Sequence, residues 1–183
     1  ELGYLYSLMD RHDRALELLF DSLAMAQSLE IDRSVAIANM RIGQVFIHRG
    51  QLREANAKLS HACSEFSRIG EHKWHRECQI ALAESWYLLG DLPKAHAMID
   101  DSLQHALDIT TEGQWIPLEL FVIAFRILSK QGNSRASEVI DRGYQRLQVH
   151  AKMIDDEETR RSFLTNVTYH RELDALWRDV HQA

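Results

Sequence analysis

The side chains with most capacity for chemistry fall in one short stretch, His72-Lys73-Trp74-His75-Arg76-Glu77-Cys78, which offers two imidazoles and a thiol. Their spacing of i, i+3 and i+6 around a helix start makes them candidate zinc ligands. On a helix, however, i and i+6 point in quite different directions, and a closed zinc site ordinarily needs four ligands. The better reading is a solvated turn with Cys78 packed inward. The ten histidines are scattered through the chain without a shared face, which leaves a pH switch unsupported. Asp155-Asp156-Glu157-Glu158 is a candidate cation site, but four acidic residues opening a helix are better explained by the positive end of the helix dipole. Ser162 has no nearby base with an orienting acid and is not read as a nucleophile. No G-x-x-x-x-G-K-[ST] loop, G-x-G-x-x-G turn or His-Glu-x-x-His pair occurs. The expectation is no catalytic residue, no metal, no cofactor and no enzymatic activity.

Composition narrows the class further. The chain has 183 residues, 45% apolar and 26% charged, enough to bury a core in an ordinary folded protein. A formal charge of −6 and the lack of a Lys/Arg cluster argue against nucleic acid, whose phosphates need a dense basic face. No apolar run approaches the roughly 18 residues of a membrane span. Two cysteines, Cys63 and Cys78, are too few to staple a fold and read as small core residues in a reducing cytoplasm. The chain begins without Met and inside a helical pattern, Leu2-Gly3-Tyr4-Leu5-Tyr6, so it is expected to be a fragment of something longer.

These residues must be carried by helices, because strict apolar/polar alternation is nowhere sustained and only two prolines occur. The pattern of Arg41 to Ala62 returns along the chain. Gly43 aligns with Gly3, Ala83 and Ala124, and Ala55 with Ala15, Ala95 and Ala136, in steps of 40, 40 and 41 residues. Each unit pairs a helix apolar around most of its circumference with an amphipathic one. The amphipathic stripes are Ala15, Leu19, Ser22, Ala26 and Leu29; then Leu52, Ala55, Leu59, Ala62, Phe66 and Ile69; then Leu92, Ala95, Ile99, Ser102, Ala106 and Ile109. The apolar helix of residues 33–49 keeps one narrow polar stripe, Ser34, Arg41 and His48. Small residues at the Gly43 and Ala55 positions let the two backbones of a unit approach closely. Gly50 suits the left-handed stop of a helix, Asp91 an N-cap and Pro93 a first turn. Thr110 to Gln114 read as the turn before the fourth unit. The expected fold is an all-α array of antiparallel helix pairs, and its right-handed superhelical course is what the resemblance to a repeat family, carried by Ile42 to Ala62, implies. Repeats cover about 1–30, 31–70, 71–111 and 112–152 of a single domain, and a capping helix pair occupies 153–183. Phe163, Leu164, Val167, Leu173, Leu176 and Trp177 give that tail too much apolar surface to stay free.

Ile42-Gly43-Gln44-Val45-Phe46 followed by Ala55, Leu59 and Ala62 resembles the L-G-x-x-Y…Ala pattern of the tetratricopeptide (TPR) family, whose usual period is about 34 residues. With its longer period, the chain looks like the long-helix variety common in bacterial regulators. Asp155 to Val167, then His170-Arg171-Glu172-Leu173, is similar to the segment that ends the repeat region of bacterial ATPase-linked transcriptional regulators and nucleotide cyclases. The resemblance implies a cytoplasmic protein–protein interaction module of a multidomain signalling regulator. In the family the first helix of each pair lines a concave groove. By that correspondence the groove residues are Met40, Gln44 and Ile47, then Ile80, Glu84 and Tyr87, then Phe121, Phe125 and Leu128. Gln44, Glu84 and Phe125 depart from the Asn and Lys of the family's carboxylate clamp, so the implied ligand is an amphipathic helix rather than an acidic chain terminus. The alternative at these positions is a filled groove, with the residues packed on one another or on adjacent domains. Other function classes are a small-molecule effector sensor and a structural dimerisation arm. A homodimer would use an apolar face with Leu2, Leu5, Leu8, Leu16 and Leu23.

Overall fold

The structure, a computed structural model, describes residues 2–9, 11–108 and 116–182, with the side chains of Leu8 and Gln182 outside the description. The expected turn at Thr110 to Gln114 and the stripe position Ile109 also lie outside the described residues. Among the described residues the chain is all-α. Its helices are α1 (Leu2–Leu8), α2 (His12–Ser28), α3 (Asp32–His48), α4 (Leu52–Arg68), α5 (His72–Leu88), α6 (Leu92–Leu107), α7 (Glu119–Lys130), α8 (Ala136–Lys152), α9 (Glu157–Thr165) and α10 (Thr168–Gln182). No described helix is long and apolar enough to cross a membrane. Two compact units divide the chain within α6, residues 1–98 and 99–183.

The first unit has a regular local plan. From α2 to α6 a helix begins every 20 residues, and the three residues between helices do the same work each time. The middle residue takes a left-handed conformation: Glu30 (φ 53°), Gly50 (φ 71°), Gly70 (φ 74°) and Gly90 (φ 83°). The residue after it serves two helices at once. The Gln51 N–H bonds back to the Phe46 carbonyl (2.9 Å), while its own carbonyl accepts from Ala55 N–H (2.9 Å). Ile31, Glu71 and Asp91 make the same pair of bonds, so a Schellman closure of one helix is also the start of the next. Asp91 adds a side-chain cap, its carboxylate accepting from the Lys94 N–H at 3.1 Å, with Pro93 in the first turn as expected.

Two cores fill this unit. One joins α2 and α3 through Leu16, Leu19, Leu23, Ile42 and Val45. The other joins α3, α4 and α5 through Met40, Leu59, Phe66, Cys78 and Leu82. The α4 stripe is as expected, with Ala55, Leu59, Ala62 and Phe66 buried. The α2 stripe is corrected: Leu16 and Leu23 are interior, whereas Ser22 and Leu29 are exposed. The two leucines are buried because α3 covers them, so of the apolar face expected on the first helices, Leu2 and Leu5 remain exposed. Close approach of α3 and α4 is visible at Gly43, where a Cβ would lie 2.6 Å from Leu59 Cγ.

In the second unit α7 and α8 form a helix pair, and α10 packs against both, as the apolar tail requires. Leu173 is fully buried, and a Cβ on Gly143 would lie 2.6 Å from Phe121 Cβ and 3.0 Å from Leu173 Cδ1. On α10, the Trp177 indole stacks on Tyr144 at 4.0 Å between centroids and donates to Asp141 (2.9 Å). The acidic run does what the dipole argument asks of it: Asp156 caps α9 by accepting from the Thr159 N–H at 2.7 Å. Hydrogen bonding from Thr159, through its side chain first and then its N–H, holds the Asp156 carboxyl below the ordinary Asp value.

Candidate functional site

In a stack of helix pairs, the face shared by the first helices of successive pairs is the surface on which a partner can be laid. In the first unit these helices are α1, α3 and α5, and α3 touches both of the others. At their meeting point is Arg41. Its guanidinium lies 3.9 Å from the Tyr4 ring centroid on α1 and 5.5 Å from that of Trp74 on α5. One Nη donates to Gln44 Oε1 (2.9 Å), and the other lies 3.9 Å from Glu77 Oε2. Trp74 is itself stacked on buried Phe66, with centroids 6.2 Å apart. A planar cation is thus fixed between two aromatic rings and a carboxylate, an arrangement Arg supports better than Lys. One end of the same α3 stripe meets α1 too, where Ser7 Oγ and His48 Nδ1 lie 3.2 Å apart. The sequence shows Ser34, Arg41 and His48 as a polar stripe at steps of seven; what it does not show is that Arg41 and His48 form a seam with α1, the first helix of the preceding pair.

The nine groove residues divide by burial. Met40, Ile47, Ile80, Phe121 and Leu128 are interior side chains. Met40 and Ile47 belong to the core beneath α3, and Phe121 packs under Gly143 and Leu173. These five are not available to a partner in this structure, because α3, α5 and α7 are apolar on more than one side and neighbouring helices cover the extra faces. Gln44, Glu84, Tyr87 and Phe125 are half-buried and keep accessible surface. Gln44, Glu84 and Tyr87 lie in the first unit and Phe125 in the second.

A second concavity of the first unit is an open cleft of about 540 Å³ over α4 and α5, bounded by Met98. Ser60, Cys63, Ser64, Arg68, His75 and Gln79 line it. The His75 imidazole is held below its ordinary value by burial first, and then by the nearby charges of His72 and Arg76. The three residues of the candidate zinc stretch do not converge: His72 is exposed, while Cys78 is buried with its thiol 3.2 Å from the Leu59 carbonyl. Among the described residues no group of three or more metal-ligating side chains comes together.

No protein-family model and no curated protein matches this chain. Among solved structures it is similar to a kinesin light chain from Podosopora anserina with nearly identical TPR-like repeats, at a TM-score of 0.63 and 16% sequence identity, covering 100% of this chain and 88% of that one. At that identity the likeness is one of fold alone: the chain is a TPR-like array of helix pairs.

Proposed function

We propose that the chain is a protein-interaction module that takes an amphipathic helix along the inner face of its first helices. The observation that carries this reading is that Gln44, Glu84 and Tyr87 keep accessible surface on helices whose relative position Arg41 fixes through Tyr4 and Trp74. A face ordered before binding loses less entropy when the partner arrives. The chemistry offered is one aromatic anchor with polar and acidic neighbours, on a chain of net charge −6, which suits a helix with an apolar stripe and a basic flank. The tail's similarity to bacterial regulators supports placing the module in a cytoplasmic multidomain signalling or transcriptional regulator. There the occupant is a separate protein or the regulator's own neighbouring domain, and the sequence encoded on either side of this chain tests that context.

Labelled amphipathic peptides with apolar anchors at i, i+3, i+4 and i+7 and lysines on one flank test the groove. Tyr87→Ala should lose binding while keeping its melting temperature, and Phe125→Ala tests the second unit's own surface in the same way. A core residue would instead cost about 3–5 kcal/mol of stability. Unchanged binding, or unfolding of both variants, overturns the proposal. An effector-sensing role would draw on the cleft over α4 and α5, where Cys63, Leu82 and Met98 stand among Ser, Arg, His and Gln side chains. A thermal-shift screen with metabolites tests it. Pairing of two copies through exposed Leu2 and Leu5 is read out by light scattering across concentration.

A further inference from the structure

Cys63 and Cys78 are free thiols on the facing helices α4 and α5. The Cys63 sulfur lies 3.9 Å from the His75 carbonyl, one turn before Cys78 on α5. The Cys78 sulfur lies 3.2 Å from the Leu59 carbonyl, one turn before Cys63 on α4. Their access differs sharply. Cys78 is fully buried in the core with Leu59, Ala62 and Phe66, whereas Cys63 is half-buried and forms part of the open cleft's wall. Their acidities diverge in the same sense. A hydrogen bond from the Cys78 thiol holds Cys63 below the ordinary thiol value against the opposing effect of burial, while that bond and burial push Cys78 well above it. The pair therefore presents the more acidic sulfur on the solvent side and a protonated, buried sulfur on the facing helix, each against a backbone carbonyl one turn before the other, as a peroxidatic thiol and its resolving partner require.

We propose that Cys63 is an oxidation site for small hydroperoxides and that Cys78 resolves it to an internal disulfide. In the first step the Cys63 thiolate attacks the terminal peroxide oxygen and the O–O bond breaks. The leaving alkoxide or hydroxide takes up a proton, and Cys63 becomes a sulfenic acid. In the second step the Cys78 sulfur attacks the Cys63 sulfur, the S–O bond breaks, and the hydroxyl leaves with the Cys78 proton as water. Two thiols thus supply the two electrons that reduce one peroxide. The product ties α4 to α5 and removes a thiol from the cleft wall.

The test uses the intact wild-type chain. It is exposed to hydrogen peroxide, unfolded with a maleimide present so that buried thiols are counted, and analysed by non-reducing mass spectrometry. The expected result is a monomer lighter by two hydrogens, with a peptide linked through Cys63 and Cys78. Cys78→Ser should then stop at a dimedone-reactive sulfenic acid on Cys63, and Cys63→Ser should leave Cys78 fully alkylated. Two maleimides on wild-type protein, under exposure that oxidises free cysteine in the same tube, overturn the proposal. So does a disulfide found only between chains. The wild-type measurement decides the matter even if a variant fails to fold.

Discussion

Arg41 holds its guanidinium 3.9 Å from the ring centroid of Tyr4, two helices back along the chain, and so ties the first helix of one pair to the first helix of the next. A guanidinium can sit over that ring and still donate to Gln44, which the compact ammonium of Lys does less well. Arg41→Lys should therefore lower stability by about 1 kcal/mol, and Arg41→Ala by about 1–3 kcal/mol, since it also strips packing from Tyr4 and Trp74. Urea denaturation reads this directly. An Arg41→Lys midpoint equal to wild type would show the ring contact to be idle.

Glu30 is the one non-glycine residue with positive φ among the described residues, in the position filled by Gly50, Gly70 and Gly90 at the later joints. A side chain there strains the backbone. Glu30→Gly should stabilise the first unit by roughly 0.5–1 kcal/mol despite the added freedom of the unfolded chain. Gly50→Glu should cost a comparable amount. A lower denaturation midpoint for Glu30→Gly contradicts the argument.

Gly43 sets two effects against each other. In mid-helix, alanine is favoured over glycine by about 1 kcal/mol. Against this, the new Cβ would lie 2.6 Å from Leu59 Cγ and 3.3 Å from the Ala55 carbonyl, and such overpacking costs about 1–3 kcal/mol. Because the blocking atom is a branch point backed by a core, the clash should win, and Gly43→Ala should be destabilising by about 1 kcal/mol. A stabilised Gly43→Ala would mean that α3 and α4 can separate at little cost.

Truncation after Lys152 removes α9 and α10 and bares α7 and α8, including the surface under Leu173. The expected outcome is a lower melting temperature or aggregation. Trp177→Phe is a milder probe: it keeps the ring over Tyr144 but loses the bond to Asp141, at a cost of about 1 kcal/mol. An unchanged melting temperature for the truncated chain would show that the tail covers nothing that matters.

Histidines give the stability a pH dependence of defined sign. His75 and His150 are both held below their ordinary value, chiefly by burial and then by positive neighbours. The unfolded chain, titrating near pH 6.5, binds protons that these folded imidazoles resist. Their contribution is therefore present above about pH 6.5 and is lost as the pH falls through the folded values. Melting temperatures taken at about pH 7.5 and 5.5 should fall more for wild type than for His75→Gln with His150→Gln. Equal falls would assign the effect to other groups.

How much of this was legible beforehand depends on the length scale of each interaction. The buried run Ala55, Leu59, Ala62 and Phe66 and the glycine stops are local patterns, set by helix periodicity and backbone sterics, and they read directly from sequence. On α2 the spacing of Ala15, Leu19, Ser22 and Ala26 by fours and threes points to Ser22, whereas the buried face is turned toward Leu16 and Leu23. Leu29-Glu30-Ile31-Asp32 reads as a polar turn, but the residue type of Glu30 gives no hint of its left-handed backbone. The groove is where sequence reasoning strained most. Equivalent positions such as Met40 and Phe121 are interior here, because burial depends on which neighbouring helices cover a nearly all-apolar one. The approach of Cys63 and Cys78 needed the α4–α5 turn in three dimensions. Spacing alone made them two separate core residues.

The joint residues Ile31, Gln51, Glu71 and Asp91, each closing one helix and opening the next, bear on how such a chain grows in a genome. A segment of 20 residues, from one joint to the next, carries one helix and reverses the direction of travel; a segment of 40 restores it. Unequal crossing-over between joints two steps apart would therefore add or delete a whole pair with every backbone bond of the junction rebuilt, whichever joint the break happened to strike. Crossing-over between adjacent joints would reverse every downstream helix relative to those upstream of the break, putting first helices in the places of second ones. Duplication in steps of 40 is the inheritance such joints permit.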